Sequence, residues 1–320
     1  MRIILDSRIM MRHIPVLLDE VCALFEPIGN NINGVFIDCT LGLGGHSQAL
    51  LARHKNITLI GIDKDTQAIA IAKQNLKNFS DRVQILQGGF GYQLEVALHR
   101  AFKSQKKVVG ILADIGVSSL QLDSLERGFS FKSENLDMRM DTNQNLDAHY
   151  ILCHYSQFEL ERVFREYGEI KEYKKLARLL KSREFASAKD LSAFLSQHFS
   201  NPRINPATLA FQALRIEVND ELGELKRFFN TIAKYFHELS GAIVDVISFH
   251  SLEDRITKET FREWSKSCIC DPNAYRCECG NNHAKGRILT KKPITPSQNE
   301  LRANPRSRSS KLRAFVVDKT

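Results

Sequence analysis

No stretch of this 320-residue chain approaches the ~18 uninterrupted apolar residues of a membrane-spanning helix, which argues against an integral helical membrane protein. Its opening, Met1-Arg-Ile-Ile-Leu-Asp-Ser-Arg8, puts Asp6 and Arg8 where a secretory leader needs its apolar core, so a cytoplasmic location is expected. No Gly-Lys-Ser/Thr follows a glycine turn, which removes the P-loop nucleotide hydrolases. Cys-x-x-Cys pairs are missing, and seven cysteines is an odd number, so a secreted disulfide framework is excluded as well. Internal repeats are absent. The composition is otherwise that of a folded protein: 43% apolar and 26% charged residues exclude a wholly disordered chain.

The first half alternates β-rich and helical runs. Residues 35–38, 58–63, 82–87 and 108–114 read as strands, with helices expected over 47–54, 66–77 and 92–102. Near-continuous apolar strands separated by helices imply a parallel sheet covered on both faces. The rhythm stops at about residue 136, and no strand pattern occurs up to 200. Amphipathic helices are expected from 158, over 173–183 and over 188–199, and a further one opens at Asn205-Pro206. Helix continues over 220–239. A buried strand follows at 242–249, then a helix at 252–266 and a last strand at 312–317. The fold class is α/β, with a mostly parallel sheet interrupted by an all-helical insertion. The expected division is 1–134 with 206–320, and 135–205 as the insertion.

Ligands in such sheets sit beyond the carboxyl ends of the strands. There the chain places Asp38-Cys-Thr-Leu-Gly42-Leu-Gly44-Gly45-His46-Ser47, with Asp63 ending the next strand. Glycines permit a tight turn and close approach of a ligand to the main chain, and the second acid can accept from ribose hydroxyls. A dinucleotide and S-adenosylmethionine both fit a nucleoside site. The dinucleotide fingerprint wants Gly or Ala where Ser47 stands and an uncharged turn for its pyrophosphate, whereas Asp38 suits a cationic ligand. The methyltransferase reading is therefore preferred to a nicotinamide-dependent oxidoreductase, with an RNA-binding protein on a degenerate scaffold as the non-enzyme alternative. Phe90, after Gly88-Gly89, can pack on an adenine face, and Asp114 and Gln121 follow the fourth strand into the same crevice.

These residues and six longer blocks resemble one family, the ribosomal RNA small subunit methyltransferase H family. The blocks are Gly42-Leu-Gly-Gly-His-Ser47, Gly116-Val-Ser-Ser119 with Gln121-Leu-Asp123, Glu126-Arg-Gly-Phe-Ser-Phe131, Leu136-Asp-Met-Arg-Met-Asp141, Ile247-Ser-Phe-His-Ser-Leu-Glu-Asp-Arg255 and Asn304-Pro-Arg-Ser-Arg-Ser-Ser310. The resemblance begins at His13 and runs to Arg313. It implies a class I (Rossmann-like) methyltransferase, S-adenosylmethionine as methyl donor, and methylation of a cytosine N4 in 16S rRNA of the small subunit, by resemblance cytosine 1402. Carried onto this chain, the cofactor contacts are Gly44, Gly45, His46, Asp63, Phe90, Asp114 and Gln121. The Asp/Asn/Ser-Pro-Pro-aromatic tetrapeptide of many amino methyltransferases is replaced here by Asp114-Ile-Gly-Val, so the proton acceptor at N4 is assigned first to Asp114 or a carbonyl beside it, then to His250 and Glu253.

Two features remain. Cys268-Ile-Cys270 and Cys277-Glu-Cys279 can supply four thiolates to a structural zinc, but a reduced thiol cluster and redox-labile disulfides fit the spacing as well. The net charge of +8, from 45 Lys and Arg against 37 Asp and Glu, is concentrated. Residues 285–313 hold nine basic residues and one acid, and the remainder has 36 of each. Arg306, Arg308 and Lys311 are the expected phosphate contacts to RNA.

Overall fold

The computed structural model describes residues 14–28, 32–199, 206–271, 273 and 275–318, and the backbone alone for Ile28 and Pro206. Residues 1–13, including His13 where the resemblance begins, lie outside the described residues. The chain divides into two compact units, Met1–Ile115 with Lys226–Thr320, and Gly116–Leu225.

The first unit is built on one seven-stranded sheet. Its elements are α1 (Leu18–Phe25), β1 (Gly34–Asp38), α2 (Gly45–Arg53), β2 (Ile57–Asp63), α3 (Thr66–Asn75), β3 (Val83–Gln87), α4 (Phe90–Lys103) and β4 (Lys107–Asp114). The second unit contributes α5 (Ser119–Asp123), α6 (Ala148–His154), α7 (Gln157–Glu166), α8 (Tyr173–Leu180), α9 (Ala188–His198) and α10 (Pro206–Asn219). α11 (Glu221–Lys234) carries the division between the units, and β5 (Ile243–Ser248), α12 (Ser251–Trp264), β6 (Gly286–Ile288), α13 (Gln298–Ala303) and β7 (Lys311–Val317) complete the first. Strand order is β3-β2-β1-β4-β5-β7-β6. The five strands β1 to β5 run parallel, and β7 lies antiparallel to both β5 and β6. All five residues of β1 and all six of β5 are buried, as continuous apolar runs in a helix-covered sheet require.

Helix α1 packs through Phe25, whose ring meets Phe36 of β1 edge-on at 5.0 Å. Gly110 of β4 makes room for it, because a Cβ there would fall 2.2 Å from Phe25 Cε1. Burying such a ring is worth about 1.5–3 kcal/mol. The core continues through Leu17, Leu41, Leu50, Leu59, Leu112 and Ile247.

In the helical unit, Ala148, Leu160, Phe164, Leu180, Leu191 and Leu214 form a separate core. Ser156 and Glu159 close a capping box on α7, and the Ser187 side chain caps α9. Among the described residues this unit has no strand. The block at 136–141 is held from within the unit: Asn219 Oδ1 accepts from the Met140 amide at 2.8 Å, its Nδ2 donates to Met138 O at 2.8 Å, and Arg127 donates to Met140 O at 2.9 Å. The unit is wider at both ends than the 135–205 expected.

The short elements β6, α1 and α6 carry too few residues to declare a period and were not expected. The basic stretch 285–313 is not a tail: it contains β6, α13, a 3₁₀ turn at Pro305–Ser309 and the start of β7. No helix among the described residues is long and apolar enough to cross a membrane.

Candidate active site

The carboxyl ends of β1, β2 and β4 are knitted together by the residues between β1 and α2. The Cys39 amide donates to Leu112 O and the Leu41 amide to Ile62 O, both at 2.8 Å, which ties the turn to both neighbouring strands. Gly42 and Gly44 take left-handed φ values of +52° and +82°, conformations that side chains disfavour. Gly45 opens α2 against Pro15, where a Cβ would lie 2.4 Å from the proline Cγ. Here glycine is needed for packing as well as for ligand approach.

Three carboxylates frame this turn. Asp63 accepts from the Gly42 amide at 2.7 Å and from the Asp65 amide at 2.8 Å, so it fixes the turn that carries the glycines. Asp38, 1% exposed, accepts from Ser47 Oγ at 2.6 Å and from the Thr40 amide at 3.2 Å. The Asp114 amide donates to Thr40 Oγ at 2.7 Å. The Asp114 side chain is 22% exposed, but its Oδ1 is shut from solvent and has no hydrogen-bond partner. Among the described residues none of the three makes an ion pair with Lys or Arg. A cationic candidate beside them is His46, with Nδ1 3.9 Å from Asp114 Oδ2. His46 Nε2 lies 2.9 Å from Val16 O, an oxygen that can only accept, so the ring proton sits on Nε2.

Burial pushes the Asp38 carboxyl up to about 6, against the opposing hydrogen bonds from Ser47 and Thr40. Burial also raises Asp63. Asp114 is held well above the ordinary carboxylate range by burial first, then by the negative charges of Asp38, Glu253 and Glu300. For each acid the neutral form is favoured in the folded chain, so its contribution to stability is whole below the ordinary value near 3.8 and is lost as pH rises through the raised value, about 6 for Asp38. Above that pH the turn is an under-compensated anionic site that a cation would relieve.

Phe90 starts α4, is 7% exposed and meets Phe228 edge-on at 5.9 Å, which gives it a core role beside any role toward a ligand. Gln121 belongs to the helical unit, where it closes the capping box of α5 with Ser118, its Oε1 accepting from the Ser118 amide at 3.0 Å. Glu253 is fully buried and caps α12, accepting from the Phe249 amide at 2.8 Å. His250 is the N-cap, and its Nε2 lies 3.0 Å from Glu253 Oε1, off the line of a hydrogen bond. Arg306 and Arg308 are exposed on the 3₁₀ turn. Lys311 pairs with Asp254 at 3.1 Å, as Arg313 does at 2.6 Å, so part of its charge is spent inside the fold. Thr40 was not anticipated. Its contact with Asp114 spans 74 residues of sequence, and only its position two residues past a strand-end acid hints at it.

The chain matches the model of the MraW methylase family over residues 10–318. It is 54% identical over 307 residues to the ribosomal RNA small subunit methyltransferase H of Aliarcobacter butzleri, covering 96% of this chain and 99% of the relative. With the protein of that name from a Helicobacter pylori strain it shares 53% over 307 residues, covering 95% and 96%. With that of Wolinella succinogenes it shares 52% over 308 residues, covering 95% and 97%. A match of this length, on a sheet of order 3-2-1-4-5-7-6 with the glycine turn at the end of its first strand, places the chain in the MraW methylase family, with the α/β class I methyltransferase fold.

Proposed function

We propose that the chain transfers a methyl group from S-adenosylmethionine to the exocyclic N4 of a cytosine in 16S rRNA of the small ribosomal subunit, cytosine 1402 by resemblance. The observation that carries the donor assignment is the set of three acids, Asp38, Asp63 and Asp114, around a glycine turn without a Lys or Arg ion pair among the described residues. A pyrophosphate would be repelled there, which speaks against a nicotinamide cofactor. A sulfonium with an ammonium group is attracted, and its carboxylate suits the positive N-terminus of α2. The name the relatives carry supports rRNA of the small subunit as acceptor.

In this reading Gly44 and Gly45 let the donor approach the main chain, and Asp63 accepts from ribose hydroxyls with the lone pairs its two amide partners leave. His46 and Phe90 complete the contacts made by the first unit. S-adenosylmethionine, when bound, supplies an electrophilic methyl. The cytosine amino group is a poor nucleophile because its lone pair is delocalised, so a carboxylate drawing on one N–H both localises that pair and takes the proton. The Asp114 carboxylate, whose side chain is 22% exposed, is assigned that role. His250 and Glu253 position the start of α12. The helical unit is assigned to substrate recognition. In duplex RNA the target base must leave the stack, a cost that single-stranded segments largely avoid.

Purified chain with methyl-labelled S-adenosylmethionine should label small-subunit RNA; label on ribosomal protein alone would defeat the reading. Two further outcomes are expected. Donor binding, measured by calorimetry in buffers of different ionisation enthalpy, should release protons near pH 6 and tighten as pH rises through it, because a cation favours ionised Asp38. A proton count of zero across that range would remove Asp38 from the site. The double variant R306A/R308A should weaken RNA binding and flatten its salt dependence, by about 0.7 in log–log slope for each phosphate no longer neutralised, with donor affinity unchanged. K311A should act less, its charge being shared with Asp254. Filter binding at several salt concentrations reads both variants, and an unchanged slope in the double variant would place the RNA surface elsewhere.

A further inference from the structure

Between α12 and β6 the chain makes an excursion with no core of its own. None of the described residues in 265–285 is buried, Tyr275 is fully exposed and Ile269 is 60% exposed. Yet the ends of the excursion are closed: the Lys285 amide donates to Trp264 O at 2.7 Å and the His283 amide to Ser267 O at 2.9 Å. A loop of this length without buried apolar surface needs another source of order.

The four cysteines converge inside it, each Sγ within 4.8 Å of the others. Cys268 and Cys277 lie 3.6 Å apart, Cys277 and Cys279 3.6 Å, and Cys279 and Cys268 3.7 Å. A disulfide would put two sulfurs about 2.0 Å apart. Four thiolates at about 2.3 Å from a tetrahedral zinc stand about 3.8 Å from one another, close to the three separations among Cys268, Cys277 and Cys279, with Cys270 within 4.8 Å of each. The two Cys-x-Cys arms also serve each other. The Ile269 amide of the first points at Cys279 Sγ at 3.4 Å, and the Glu278 amide of the second at Cys270 Sγ at 3.3 Å. Amides aimed at sulfur stabilise thiolate charge, and such outer partners orient metal ligands. After Cys279 the chain turns away through Gly280 and Asn281, both left-handed at +82° and +54°. His283 is not a fifth ligand, since its Nε2 is engaged by Cys279 O at 2.8 Å.

We propose that Cys268, Cys270, Cys277 and Cys279 form a closed tetrathiolate zinc site that folds the excursion between α12 and β6. Soft thiolates in a tetrahedral set select zinc or iron, and a site with no ligand position left open is structural. The site is independent of methyl transfer. Cys22 and Cys39 are buried alone and play no part, and Cys153 lies in the helical unit beside His149.

Metal analysis of the full chain, purified under reducing conditions, should give one zinc per chain. X-ray absorption should show a sulfur-only shell near 2.3 Å. The double variant C277S/C279S should lose the metal, and C153S should keep it. Trypsin should cut at Arg276 in the metal-stripped chain and spare it in the loaded one. A reduced chain that takes up no zinc when it is supplied, a shell containing nitrogen or oxygen, or stoichiometric iron would each overturn the assignment.

Discussion

Replacing Asp114 by Asn should lower kcat for RNA methylation by about 10²–10⁴-fold, the usual range for loss of a general base, while the chain stays folded. The substitution keeps the shape of the side chain, and the hydrogen bond from the Asp114 amide to Thr40 Oγ belongs to the main chain and survives. What is lost is the ionisable carboxylate acceptor. Burial and the neighbouring acids raise this carboxyl well above its ordinary range, which makes it a stronger base once ionised. The rate of the unmodified chain should therefore rise with pH along an acid limb, and the variant should lack that limb. Comparison with E253Q and H250A separates catalysis from scaffolding. Those two loosen the cap of α12, at a cost of about 1 kcal/mol in stability, and keep an acid limb, which E253Q moves to lower pH by removing a negative charge that acts on Asp114. An Asp114→Asn chain with undiminished kcat would move the base to another group.

Asp63→Ala should raise the Kd for S-adenosylmethionine by about 10–100-fold. The carboxylate accepts two amide hydrogen bonds, at 2.7 and 2.8 Å, that hold Gly42 and the start of α3. Hydrogen bonds to a charged group are worth about 1.5–3 kcal/mol each. Losing them frees the turn, and losing the carboxylate removes the ribose acceptor as well. The side chain stands at the end of β2 and is only partly buried, so the fold should survive; circular dichroism checks this alongside calorimetry. Unchanged affinity in a folded variant would take Asp63 out of the site.

Much of this site could be read from the chain because of one rule: in a parallel sheet the ends of the strands face the ligand. β1, β2 and β4 are largely apolar runs that each end in an acid, so Asp38, Asp63 and Asp114 could be placed at strand ends before any contact was known. The local roles of Gln121 and Glu253 were harder. Ser118-Ser-Leu-Gln121 is too short to show a helical period, yet Ser118 and Gln121 have the spacing of a capping box, a signal that was available. His250 is an unusual N-cap, which hid the matching box with Glu253. β6 has three residues, fewer than a period needs. The Asp254 pairs with Lys311 and Arg313 join residues nearly sixty apart, and charge counting cannot see that part of a basic stretch is already neutralised. The Cys-x-Cys arms were visible as a pattern, but only the sulfur spacing separates a tetrahedral cluster from a pair of disulfides.

The identity of the methylated atom is the most direct test of the proposed reaction. Small ribosomal subunits, or their RNA, should be incubated with the chain and methyl-labelled donor, and the RNA digested to nucleosides for mass spectrometry. All label is expected in a cytidine carrying one methyl on its exocyclic nitrogen, and it should accumulate about 10²–10⁴-fold more slowly when Asp114→Asn replaces the unmodified chain. Label on uridine, on guanosine or on ring carbon of cytidine would contradict the assignment.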